Sequence, residues 1–372
     1  MTLTAPWQPA AETAIRATIR TYAQVWARKS GHADTVLPVT AASVTFDETW
    51  VPHVQADVTC AVPDDALLDL LDPRDPSVRL LLDAGYYLPS GLDVHNVANL
   101  GLRERNPTRP DNTMRLTAES DEALVLDAGP VLGPATTATD TDLSALVATW
   151  LRVPLGYVPQ LDVSLPASKV STTFDNRNDW WPLFKGWTDA AHAWLYDGGD
   201  RVWHLSQRPT ATAQPAHTLK TGPGGTVEAS SSTLSQADWA NYVSLLHSWS
   251  DAGVDHTVVG VAYVTSGPHQ AVSAGKTLPG LRVYSERNNT PIDQASADAA
   301  AAAILVRRLR AGAEVTLTAV AAWWLRPGMT VALQIAGAEE FQLVTRVTFD
   351  LLAGRMTLTT RLPDLSTIKI GA

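Results

Sequence analysis

Short runs of alternating apolar and polar residues, broken by turn residues, recur along this chain and constrain its fold more than any other feature. Val44-Thr45-Phe46-Asp47-Glu48-Thr49-Trp50 begins in alternation, and Val54-Gln55-Ala56-Asp57-Val58-Thr59-Cys60 alternates again. That period of two is expected of half-buried antiparallel strands. Val78 to Tyr87, Leu100 to Arg105 and Asn112 to Ser120 continue the series. Near the C-terminus, Asp255 to Thr265, Leu281 to Ser285, Glu314 to Val320, Met329 to Ile335, Glu340 to Leu351 and Met356 to Leu362 read the same way. Pro327-Gly328 and Ala353-Gly354 serve as their corners. Short strands at this spacing point to a sandwich or barrel.

Helical patterns are fewer. From Pro9 to Lys29, Ile15, Ile19, Tyr22 and Trp26 fall on one stripe, with Arg16, Arg20 and Arg28 off it, which predicts an amphipathic N-terminal helix. Gly129 to Thr141 is a Gly/Pro/Thr-rich break, followed by a short helix from Asp142 to Leu151 capped by Thr141 or Asp142. Asp179 to Trp194 predicts a helix whose Trp180, Phe184 and Trp187 share a face. After it, Ala193 to Leu205 places two alternating strands around Gly198-Gly199, a hairpin signal. Residues 206–236, rich in Thr, Ser, Pro and Gly, read as a long flexible loop. Ser296 to Arg310 is an alanine-rich helix with Arg307, Arg308 and Arg310 at its end, where cations suit the helix dipole.

Several classes are excluded by composition. With Cys60 as its one cysteine, the chain has no internal disulfide framework and no Cys-rich metal domain. No apolar run approaches the ~20 residues of a transmembrane helix. Glu12, Arg16 and Arg20 interrupt what would be the apolar region of a signal peptide, so none is expected. A net charge of −10 without a basic cluster argues against a protein that tracks nucleic-acid phosphates. The 13 tryptophans equal tyrosine and phenylalanine combined. Interface demand and codon bias account for that number equally well, since arginine also far outnumbers lysine.

A search for chemistry finds no catalytic residue, cofactor site or metal site. The densest polar set, His247, Asp251, Asp255 and His256, has no metal-ligand spacing and reads as a solvated turn. No GxSxG nucleophile elbow occurs, and the Gly222-Pro223-Gly224-Gly225 run lacks the Lys-Ser/Thr of a phosphate cradle. Asp47-Glu48 and Glu339-Glu340 are adjacent acids, more simply turn or edge charges than a glycosidase pair, although acid pairs need no sequence proximity. Cys60 reads as an inert core thiol.

The C-terminal third carries an ordered pattern. Arg287-Asn288-Asn289-Thr290-Pro291-Ile292-Asp293 precedes the alanine-rich helix. A strand, Leu325-Arg326-Pro327-Gly328-Met329-Thr330-Val331, and the hairpin Phe341 to Asp350 with Gly354 to Arg361 follow. This resembles the closing domain of tailed-phage tail hub proteins, also called baseplate hub or hub-type minor tail proteins. The hairpin Trp194-Leu195-Tyr196-Asp197-Gly198-Gly199-Asp200-Arg201-Val202-Trp203 is similar to one carried by the same family.

The resemblance implies a β-rich α+β chain with two tube-like antiparallel β-barrel domains and helical and hairpin inserts. On that plan residues 1–34 form a helical arm, 35–130 the first barrel, 140–250 an α+β middle domain with the loop 206–236, and 251–372 the second barrel with the alanine-rich helix. It also implies a homotrimer at the virion tail tip, made in the host cytoplasm. Its partners would be tail tube and distal tail proteins, tip or fibre proteins and the tape measure protein, with DNA passing through a channel unbound. The alternative is a tail-associated protein that binds or degrades carbohydrate or cell wall, with exposed tryptophans as sugar platforms. For assembly contacts the sequence offers Ile15, Ile19, Tyr22 and Trp26 on the N-terminal stripe. Trp323 and Trp324 join them, since neighbours on a strand face opposite ways.

Overall fold

The computed structural model describes residues 7, 11, 15, 20–61, 65–131, 133–191, 193–209, 214–234, 239–251, 253–267, 269–273, 276–277, 280–289, 291–310, 313–335, 338–361 and 370–371. The first stretch contains β1 (Thr21–Arg28), β2 (Thr35–Val36), β3 (Val39–Asp47), β4 (Val54–Ala61), α1 (Asp65–Leu70), β5 (Arg79–Leu88), β6 (Gly91–Thr108), β7 (Thr113–Glu119) and α2 (Glu122–Asp127). A middle module follows, with β8 (Thr136–Asp142), α3 (Leu143–Leu155), β9 (Gln160–Ser164), β10 (Lys169–Phe174), α4 (Trp180–Ala190), β11 (Ala193–Asp197) and β12 (Val202–Gln207). Beyond it come β13 (His217–Lys220), β14 (Val227–Leu234), β15 (Tyr242–Asp251), β16 (Val254–Val264), β17 (Val272–Ser273), β18 (Lys276–Thr277) and β19 (Val283–Asn288). The chain ends with α5 (Gln294–Arg310), β20 (Ala313–Val320), β21 (Thr330–Ile335), β22 (Ala338–Asp350), β23 (Arg355–Arg361) and β24 (Ile370–Gly371).

Thirteen of these strands form one sheet in the order β14-β20-β23-β22-β3-β4-β7-β6-β5-β1-β2, with β21 also on β22 and β13 beyond it. The two halves expected as tube-like β-barrel domains are joined, among the described residues, in one continuous sheet that does not close. They join where β22 pairs antiparallel with β3, in the register Val347↔Phe46 and Phe349↔Val44. Alternation explains the join: Val44, Phe46, Val347 and Phe349 all turn inward and are wholly buried. One core serves both halves, containing Val58, Leu80, Leu100 and Leu116 from the first and Leu317, Trp323, Val331 and Leu358 from the second. Burying each such side chain favours folding by ~1.5–3 kcal/mol.

Two further expectations are corrected. From Thr21 onward the helix expected over Pro9 to Lys29 is replaced by strand β1, which pairs with β5 throughout, Val25 opposite Leu82 and Ala27 opposite Leu80. Ahead of it in that span only Ala11, Ile15 and Arg20 are among the described residues, and the helical Ala11 accepts the Ile15 N–H at its carbonyl. Val25-Trp26-Ala27 also fits a period of two, with Val25 and Ala27 buried, and a neighbouring strand decides between the two periods. The proposed loop 206–236 holds β13 and β14. The first runs parallel to β21 and the second antiparallel to β20, so this stretch completes the second half of the sheet.

The middle module has its own core of Val147, Leu151, Phe174, Phe184, Trp187 and Trp203. Helix α3 starts at Asp142, whose carboxylate accepts the Ser144 and Ala145 N–H groups, and stops at Gly156 in the left-handed region. A four-stranded sheet, β19-β15-β16-β24, packs Val243, Leu245 and Ala262 against Ala301 and Leu305 of α5. Gly260 allows that approach, since a Cβ there would stand 2.2 Å from the Ala297 carbonyl oxygen. Among the described residues no helix is long and apolar enough to cross a membrane.

Candidate functional site

The hairpin β11–β12 brings the middle module onto the first half of the sheet. At its turn Gly199 adopts φ +83°, and a Cβ there would lie 3.0 Å from Val54. Its carbonyl accepts the Asn99 N–H at 2.6 Å. Around this contact three buried carboxylates meet two guanidinium groups. Arg79 donates to Asp121 at 2.8 Å and to the Asn99 side chain and carbonyl, both at 2.6 Å. The other Asp121 oxygen accepts from Tyr157 at 2.5 Å and Arg201 at 3.1 Å. Asp197 accepts the Asp121 N–H at 2.8 Å, and the Asp197 N–H donates to Glu122 at 2.7 Å.

With three acids facing two cations in a region shielded from water, one carboxyl is driven toward its neutral form. Burial pushes Glu122 up to about 7. Burial and then the Glu122 charge push Asp197 well above the carboxylate range. All three carboxylates are buried, and the group binds the two modules together.

Beside this joint lies a cleft of about 870 Å³ walled by all three parts of the chain. The middle module supplies Gln160, Asp162, Trp194, Tyr196, Asp200, His204 and Gln207; the sheet supplies Phe46, His53, His95, Asn96, Trp324 and Arg326. Trp194 stacks on Tyr196 at 4.0 Å, and Tyr196 on His204 at 5.0 Å. Arg326 spreads over Phe46 at 4.1 Å and donates to the carbonyls of Trp323, Leu325 and Val97. Burial lowers the Arg326 guanidinium to about 10 and the His53 imidazole to about 4, so His53 is neutral at pH 7.

The residues offered for assembly are scattered. Ile15 is buried in the main core, and Ile19 lies outside the described residues. Tyr22 and Trp26 sit half-buried on one face of β1, where the Trp26 indole donates to Asp83 at 2.9 Å. Trp323 is wholly buried against Tyr86 and Phe349. Trp324 is half-buried and lines the cleft. These two occupy a turn rather than a strand, so the chain reversal sends them apart. Trp194 is buried and lines the cleft.

Chemical groups fall as follows. Among the described residues no cluster of three or more His, Cys, Asp or Glu is placed to hold a metal, and His256 stacks on Trp249 at 5.3 Å. Burial pushes the Cys60 thiol up to about 11, which keeps it protonated and unreactive. Asp47, buried, and Glu48, half-buried, are ion-pair partners of Arg346 and Arg361, not edge charges.

Sequence reasoning missed the two ends of the sheet. At one end β14 pairs, among the described residues, only with β20, and Glu228 to Thr233 are exposed along it. Its Ser-Ser-Ser-Thr run offers no alternation to read. At the other end β2 covers β1 only at Trp26 and Ala27, and Leu37 donates to the Val25 carbonyl. Ahead of Val25 the outer edge of β1 meets no further strand among the described residues.

No protein-family model matches the sequence, and no curated protein matches it. Solved structures do. The chain is similar to a tail protein from Neisseria meningitidis MC58, with a TM-score of 0.62 and 12% identity over 91% of this chain and 96% of that one. The 43 kDa tail protein of prophage MuSo2 from Shewanella oneidensis gives 0.61 and 12% over 92% and 98%. Prophage tail protein gp18 from Listeria monocytogenes EGD-e gives 0.55 and 8% over 91% and 94%. Across nearly its whole length, this chain has the fold of phage tail proteins.

Proposed function

We propose that the chain is a structural virion protein, a tail hub in which three copies close a ring between tail tube and tail tip. Its work is assembly, not catalysis. The observation that carries this reading is that, among the described residues, β14 and the start of β1 each lack a strand partner on one side, at the two ends of one continuous sheet. A long exposed strand edge is a template for another chain, and β14 carries no proline or lysine and one charged residue, Glu228, paired with Arg355. In the ring, β14 of one copy adds to the uncovered part of β1 in the next. Such a head-to-tail contact closes when its rotation does. The fold shared with tail proteins supports placement in a tail, with tube, distal tail, tip or fibre and tape measure proteins as neighbours. The net charge of −10 suits a channel wall that repels passing DNA.

Native mass spectrometry of the purified chain, alone and with tail tube protein, tests this reading. The expected species is three times the 39.9 kDa chain. A monomer that persists in both samples overturns it.

A further inference from the structure

We propose that the cleft between the middle module and the sheet is a binding site for a neutral oligosaccharide. The inference goes beyond the hub reading and does not depend on it, because every group involved belongs to one chain.

The cleft's size, about 870 Å³, falls within the ~300–1,000 Å³ of small-ligand sites and exceeds the needs of a single ion. Its lining alternates side-chain amides, carboxylates and a guanidinium with aromatic surface. Gln160, Gln207 and Asn96 bring amides, Asp162 and Asp200 acceptors, and Arg326 donors. Three Arg326 hydrogen bonds to backbone carbonyls hold its guanidinium at the cleft wall. Vicinal hydroxyl groups, each both donor and acceptor, match such a mixture.

The charge balance separates this ligand from an anion. Asp162 and Asp200 stand on the same walls as Arg326, so an incoming carboxylate or phosphate meets as much repulsion as attraction. His53, only 4% exposed, lines the cleft with its Nδ1 unpartnered among the described residues. Burial keeps its imidazole neutral, so His53 adds polarity but no charge to this wall.

Apolar recognition falls to Trp324. Its ring meets Tyr86, Trp7 and His217 at 63°, 54° and 88°, so none of these neighbours stacks on its face. A half-buried indole on the cleft wall suits the C–H face of a pyranose ring.

The test is a neutral-glycan array probed with the fluorescently labelled full chain, followed by calorimetry with the best-binding trisaccharide. Saturable binding is expected, weakened about tenfold in each of Asp162→Ala and Gln207→Ala, which alter exposed rim residues, and abolished in Trp324→Ala. Circular dichroism confirms that each variant is folded. Glu228→Ala, on the distant sheet edge, leaves binding unchanged. No saturable binding to any neutral glycan overturns the proposal, as does binding indifferent to both rim substitutions. Binding of a tail-protein peptide in the cleft with no glycan bound also overturns it.

Discussion

The molecule has two internal joints built on different physics. The halves of the sheet meet at β3 and β22 through a backbone ladder, flanked by Phe46 and Phe349 in edge-on contact at 6.2 Å. The middle module meets the first half through a buried polar cluster of Asp121, Glu122, Asp197, Arg79 and Arg201. A backbone ladder is indifferent to the identity of any one side chain, whereas a buried ion cluster fails badly when one member is lost. Apart from its buried Val44, Phe46, Val347 and Phe349, the first joint therefore tolerates replacement of its polar side chains, and the second does not.

The largest contrast is expected from Asp121→Ala, which leaves Arg79 without its acid partner and strands Arg201 and Tyr157. Breaking a buried pair this way costs about 3–5 kcal/mol, read as a lower midpoint in chemical denaturation. Proteolysis should then open the segment between α2 and β12 before the sheet. A sheet that unfolds together with the module would erase the distinction between the joints.

The pH response sharpens the same contrast. Glu122 has its folded-state value near 7, above the ordinary 4.5, so the fold favours its protonated form. Between those values the folded chain holds more protons than the unfolded chain, and stability falls as pH rises through 7. The contribution is complete below pH 4.5 and lost above pH 7, and Asp197 acts in the same direction. Thermal melts from pH 5 to 8 should show this decline, and Glu122→Gln should flatten it. An unchanged slope in that variant would remove Glu122 as the cause.

The smallest effect belongs to the ladder joint. Thr45 and Thr348 share a hydroxyl hydrogen bond at 2.9 Å across it, and Thr348→Val should cost only about 0.5–1.5 kcal/mol. A loss as large as that of Asp121→Ala would mean that both joints depend on polar side chains.

How much of this the sequence revealed follows the same division. Strands β3, β4, β20, β22 and β23 announce themselves, because each alternates between core and solvent and short-range pattern suffices. The hairpin β11–β12 was legible from its two glycines. Strand β14 was not, since a strand held mainly by its ladder to β20 needs no apolar face, and its Ser/Thr run reads as loop. Strand β1 misled through a stripe that fits two periods, and only pairing with β5 selects one. The carboxylate cluster and the cleft draw on residues as distant as His53, Asp162 and Arg326, which no local pattern connects.

The central claim is that β14 closes a ring by pairing with β1 of the next copy. Hydrogen–deuterium exchange at the amides of Val227–Leu234, in monomer and assembled ring, tests it most directly, with Ser231→Pro as the matched variant. Assembly should slow exchange at alternate amides along β14 and at Thr21 to Gln24, and the proline variant should fold yet remain monomeric. Fast exchange along β14 in the assembled ring, or a proline variant that still forms trimers, would contradict the account.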